Sequence, residues 1–227
     1  MVMAAGIWRL DTRLFPIRFV RVQGSLQHLR LREVEQALRP LSQGYWSIDL
    51  DRVADAVRRI PWVEAVVVRR VWPDVLELVV REQEPVLRWG RDALLNRRGE
   101  AFKPETLQGY RHLPGLTGPA NYRRRLFRAY HSMNEALRPL EMRILELEVD
   151  SRRSWRMKLD GGMEIQLGRV SPEAVFARLV RAMTRLGKDE CRRIERLDGR
   201  YEHGFAVRWQ RQGATRGGRT LKLERHG

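Results

Sequence analysis

One cysteine, Cys191, is all that this chain of 227 residues carries. An internal disulfide is thereby excluded. A cytoplasmic and a periplasmic home both stay open, because oxidising compartments allow disulfides without requiring them. Histidine is sparse as well: His28, His112, His131, His203 and His226 are scattered, and Cys191 and His203 stand twelve apart with no second pair. A structural zinc site needs two close pairs of ligands, so neither a metal nor a cofactor is expected. The chain has no Gly-x-Ser-x-Gly, no His-Glu-x-x-His and no Cys-x-x-Cys. Asp160-Gly161-Gly162 is glycine-rich, but it sits between two strand-like runs. A phosphate cradle lies between a strand and a helix N-terminus instead. Glu146 and Glu148 alternate with apolar neighbours, the pattern of a solvated strand face rather than of a catalytic carboxylate pair. No enzyme is expected.

Lysine is nearly absent: only Lys103, Lys158, Lys188 and Lys222, against 40 arginines. The net charge of +16 would suit a nucleic-acid binder. However, the arginines occur in every segment rather than in one stripe, and so strong a skew points to codon composition. No nucleic-acid partner is expected, whereas an anionic lipid surface or an acidic protein would meet such a charge equally well. With 43% apolar and 32% charged residues the chain can bury real cores and still present a polar surface.

No run reaches the roughly 20 apolar residues that cross a bilayer. Met1 to Trp8 is apolar and is followed by Arg9, Asp11 and Arg13. It reads either as a frayed terminus or as the last turns of a membrane anchor with interfacial Trp8, Arg9 and Arg13. Alternation then predicts a strand over residues 16–24. "LREVEQALRPL" and "SIDLDRVADAVRRI" carry helical spacing, the second with Ser47 or Asp49 as N-cap. Pro61 ends that helix, since the residue before a proline is pushed toward extended geometry. "WVEAVVVRRV" and "VLELVVRE" read as a hairpin around Trp72-Pro73-Asp74. Pro61, Trp62, Trp72 and Pro73 are thus read as structural corners of a β-α-α-β-β unit.

Beyond it, "EPVLRW" and "ALLNRRGEAFKP" read as short strands, and a Pro/Gly-rich loop covers residues 112–121. A helix is predicted from about Tyr122 to Leu137. A meander follows, with Leu145, Leu147 and Val149, then Trp155, Met157 and Leu159, then Met163, Ile165 and Leu167 facing inward. Ser171-Pro172-Glu173 opens another helix, with the serine hydroxyl expected as its cap and Gly187 as its end. "CRRIERLDGRY" and "GFAVRWQ" are read as closing strands. The predicted class is α+β, a β-α-α-β-β domain followed by a mixed domain with a largely antiparallel sheet and packed helices. The boundaries are drawn at 1–15 (anchor remnant), 16–84, 85–210 and 211–227 (a basic, disordered tail).

The β-α-α-β-β unit resembles a POTRA domain. The words "IPWV", "RRVWPD", "EQEPVLRW", "LLNRRGEAF", "RRSW" followed by "LGR", and "GRYEHGFAVRW", in that order, resemble the FtsQ/DivIB family of bacterial cell-division proteins. The resemblance covers residues 16 to 210. It implies a non-enzymatic scaffold of the inner membrane, single-pass, with its body in the periplasm and concentrated at the septum. It further implies FtsB/FtsL-type partners, bound by strand addition to the edge of the second domain. The matching segment holds Arg200, Tyr201, His203, Gly204, Phe205, Ala206, Val207 and Trp209. On the preceding helix, Arg178 is implied as a partner for acids. Gly199 stands where the family usually has a larger apolar residue, which implies a weaker local strand. The alternative is a POTRA-bearing translocation or outer-membrane assembly component, which would ordinarily carry several such units and a barrel.

Overall fold

The computed structural model describes residues 17–41, 47–201 and 204–210. The expected anchor remnant, the basic tail, Glu202 and His203 lie outside the described residues. The described chain divides between Glu84 and Pro85 into two compact units, with Phe102–Pro104 grouped with the first. Among the described residues no helix is long and apolar enough to cross a membrane.

The first unit contains β1 (Phe19–Gln23), α1 (Leu31–Leu38), α2 (Leu50–Arg58), β2 (Val63–Val71) and β3 (Val75–Glu82). Its sheet has the order β1-β3-β2, with β1 parallel and β2 antiparallel to β3. Of the two candidate caps for α2, Asp49 is the one used: its carboxylate accepts from the amides of Asp51 and Arg52. That satisfies two of the four amides a helix start leaves open. Val53, Ala54 and Val57 then face Leu76, Leu78, Val80 and Val66 in the core. The β-branched run of β2 suits a pleated surface, and its partners across β3 put Val66 against Val80 and Val68 against Leu78 on that inner face. The other face carries Phe19, Val75 and Val71 in one row, then Arg21, Glu77 and Arg69 in the next.

The two tryptophan corners differ sharply. Trp62 is buried, with its ring stacked on His28 at a centroid distance of 4.0 Å. Trp72 is 73% exposed and stands at the turn between β2 and β3, so core packing does not account for it. Beside Trp62, the Glu82 carboxylate accepts from three consecutive amides, those of Gln27, His28 and Leu29, with Leu29 N at 2.7 Å. His28 Nδ1 lies 3.2 Å away. Burial pushes the Glu82 carboxyl upward, but the amides of Leu29, Gln27 and His28 and the His28 ring outweigh it and hold it below the usual glutamate range. One side chain thus ties the loop before α1 to the last residue of β3.

The second unit is a nine-stranded, mostly antiparallel sheet in the order β12-β11-β10-β9-β8-β7-β4-β5-β6. Its strands are β4 (Pro85–Trp89), β5 (Ala93–Asn96), β6 (Ala101–Phe102), β7 (Gly115–Thr117), β8 (Ile144–Val149), β9 (Trp155–Leu159), β10 (Glu164–Gly168), β11 (Ile194–Asp198) and β12 (Ala206–Trp209). α3 (Arg123–Leu137), α4 (Pro172–Leu186) and α5 (Lys188–Arg192) complete it. Leu126, Met133 and Leu137 of α3 and Phe176, Leu179 and Met183 of α4 share one core with the inward residues of β8, β9 and β10.

Four local expectations change. The loop at residues 112–121 hides β7, three residues that lie parallel to both β4 and β8; so short a strand leaves no alternation to read. Leu145 is 39% exposed while Ile144 is buried, because the register of β8 shifts between Ile144 and Glu146. Such a slip exchanges the faces that side chains present. Ser171 precedes α4 at φ 44° and its hydroxyl makes no capping bond. Cys191 belongs to the short helix α5 rather than to a strand, and β11 ends at Asp198.

Candidate partner-binding edge

β12 is the outermost strand of the nine-stranded sheet and pairs on one side only, antiparallel to β11, with Val207 opposite Leu197. Its outward backbone groups have no strand partner among the described residues, which is the arrangement strand addition requires. Ala206, Val207 and Arg208 are exposed, while Phe205 and Trp209 pack in part against the core. The strand is therefore held by two aromatic anchors and leaves its middle open. Arg208 is paired to Glu195 on β11 at 2.6 Å.

The segment entering β12 is braced from α4. Arg178 donates from Nη2 to the carbonyl of Tyr201 at 3.0 Å, and its guanidinium lies over the Phe205 ring at 5.0 Å from the centroid. Tyr201 itself is 56% exposed. Arg200 grips Asp198 through two nitrogens, Nε at 2.9 Å and Nη2 at 2.6 Å, and this hydrogen-bonded pairing holds the Asp198 carboxyl below its usual range. Gly204 lies in the same segment and has open space where a Cβ would stand. Arg178, Arg200, Tyr201, Gly204, Phe205, Ala206, Val207 and Trp209 are thus brought together; His203 lies outside the described residues.

Next to this edge runs a groove of about 900 Å³, lined by Tyr201, Val170 and the arginines 152, 169, 178, 181 and 200. Sequence reasoning did not single out Arg152, Arg169 and Arg181. All three are exposed, and their side chains form no ion pair or hydrogen bond among the described residues. Among the described residues the only acid on the wall, Asp150, is occupied by the amides of Arg152 and Ser154. Arg178 and Arg181 are three apart on one helix, a spacing that puts both on one face. Arg152 and Arg169 lie in turns, where no periodicity marks them.

Gly199 explains how the helix comes so close. A Cβ there would stand 2.6 Å from Val175 Cγ1 and 3.2 Å from Leu179 Cδ1, both on α4. The room that a larger apolar residue would fill is taken by Val175. The glycine lies beyond the end of β11, so the expected weakening of a strand does not arise; it seats α4 against the sheet.

A POTRA-type unit followed by a mostly antiparallel sheet whose last strand, β12, lies at an edge defines a class of two-part modules. The family model "POTRA domain, FtsQ-type" matches residues 15–83, and that for "Cell division protein FtsQ/DivIB, C-terminal" matches residues 87–200. A protein named "Cell division protein FtsQ" from Methylomonas methanica is 33% identical over 218 residues, covering 92% of this chain and 88% of its own. Proteins of the same name from Xanthomonas campestris and Allochromatium vinosum are 34% and 32% identical, over 85% and 92% of this chain and 69% and 85% of their own. The chain belongs to the FtsQ/DivIB family of bacterial cell division proteins.

Proposed function

We propose that this cell division protein is a non-enzymatic scaffold that links early and late components of the division machinery. It takes an FtsB/FtsL-type partner as an added strand on β12, and the acids of that partner enter the arginine groove. It recruits other division proteins through the POTRA unit. Its place is the inner membrane, single-pass, with the body in the periplasm at the septum. The observation that carries this reading is an open strand edge next to a groove in which Arg152, Arg169 and Arg181 have no acidic partner among the described residues. Backbone pairing would supply affinity and the charges would supply choice and a fast encounter.

The test is titration of a synthetic periplasmic segment of an FtsB-type protein onto the purified chain. Arg152→Glu with Arg181→Glu is expected to weaken binding about tenfold or more and to flatten its salt dependence, as loss of rim charges does. Tyr201→Ala and Arg178→Glu are expected to weaken it as well, with thermal unfolding nearly unchanged for Tyr201→Ala. Wild-type affinity in the double charge reversal would remove the groove from the site. Wild-type affinity in Tyr201→Ala and Arg178→Glu would remove the segment entering β12.

A further inference from the structure

We infer that the end of the POTRA sheet bearing Phe19 and Trp72 is a second contact surface, made for an anionic lipid headgroup layer. Phe19 is 62% exposed and Trp72 is 73% exposed, large values for side chains of that size in a folded domain. Backbone bonds set them at one end of the sheet: the amides of Arg18 and Phe19 both donate to the carbonyl of Asp74, at 3.0 and 3.3 Å. Phe19, Val75 and Val71 then form an apolar row across the three strands, with Trp72 and Pro73 projecting at the turn beyond it.

The charges around this tip are unbalanced. In the row behind it, Arg21 and Arg69 share the single carboxylate of Glu77, at 3.7 and 2.9 Å. Arg18 is exposed and has no ion pair among the described residues. Arg18, Arg21 and Arg69 stand with Glu77 and Asp74 at this end, three positive charges against two negative. An indole on a turn, backed by a phenylalanine and accompanied by Arg18, Arg21 and Arg69, matches the boundary of a bilayer. Tryptophan prefers that depth, and the arginine stems lie along apolar surface while their heads reach phosphate. Anionic lipid attracts each arginine held near its surface.

The inference shares with the functional reading a place at a membrane, and its test separates the two. The full chain is floated with vesicles of phosphatidylglycerol and phosphatidylcholine, and with phosphatidylcholine alone. Binding to the anionic vesicles is expected. Phe19→Ser with Trp72→Ser is expected to weaken it about tenfold, the effect of ~1.4 kcal/mol, while the unfolding midpoint stays put. With brominated lipids, the emission that wild type has and Trp72→Phe lacks is expected to be quenched. Equal partition of the double variant, absence of wild-type binding, or quenching unchanged in Trp72→Phe would each overturn the inference. Failure of the membrane placement itself would show separately, as release of the cellular protein without detergent.

Discussion

Both units end their sheets on unpaired strands, yet the two edges are finished differently. In the POTRA unit β2 runs nine residues along an edge, and its charges are used internally: Arg69 goes to Glu77, and Glu64, at the start of the strand, takes Arg81. In the second unit β12 is only four residues long and is pinned at both ends by aromatics. Beside it lie three arginines that nothing in the described chain neutralises. An open edge alone is common and is usually blunted by charge or shortness. An open edge with uncompensated arginines next to it is the feature that asks for a strand partner, and β12 has it where β2, with Arg69 on Glu77 and Arg70 on the Ile48 carbonyl, does not.

The contrast can be pressed hardest at the tryptophans. Trp62→Ala is expected to cost the POTRA unit about 3–5 kcal/mol, the usual loss for a buried aromatic. Trp72→Ala should stay within about 0.5 kcal/mol, as exposed positions do. Urea unfolding followed by hydrogen exchange in each unit measures both; similar costs for the two would erase the distinction drawn between them. Next in size is Glu82→Gln, expected to cost about 1–3 kcal/mol because the amides of Gln27, His28 and Leu29 lose a charged acceptor. Protection should fall in α1 and α2 while β9 and β10 keep theirs.

Gly199→Val sharpens the other side of the comparison. Forcing α4 away from the sheet is expected to cost about 1–3 kcal/mol and to widen the arginine groove, so partner affinity should drop with stability. A stable variant with unchanged affinity would mean that the seating of α4 does not shape the site. The smallest effect is on acid sensitivity. The Glu82 carboxyl is depressed in the folded state, so its contribution is full above its unfolded value of about 4.3 and is lost as pH falls through the lower folded value. Acid titration of POTRA stability should therefore be shallower in Glu82→Gln than in wild type, with the two curves converging at low pH.

Much of this could be read from the chain. The periodicity of "DRVADAV" and the β-branched run to Val71 determine α2 and β2 because one buried face governs each, and Pro61 can only terminate what precedes it. The inward residues of β9 and β10 alternate without interruption and are buried as expected. What escaped has a common cause: it depends on contacts between segments distant in sequence. β7 exists because β4 and β8 flank it. Glu82 gathers amides more than fifty positions away. The groove joins Arg152, Arg169 and Arg181, which share no local pattern. The segment from Arg200 to Trp209 was singled out through family likeness, whereas the brace from Arg178 to the Tyr201 carbonyl and the unpaired arginines required coordinates.

The central claim is that the partner adds to β12 and not to the POTRA edge. Hydrogen–deuterium exchange of the full chain, with and without a saturating FtsB-type periplasmic segment, tests it most directly. Slower exchange is expected across residues 204–210, with β2 (63–71) unchanged. Slowing on β2, or none across 204–210, would contradict the account.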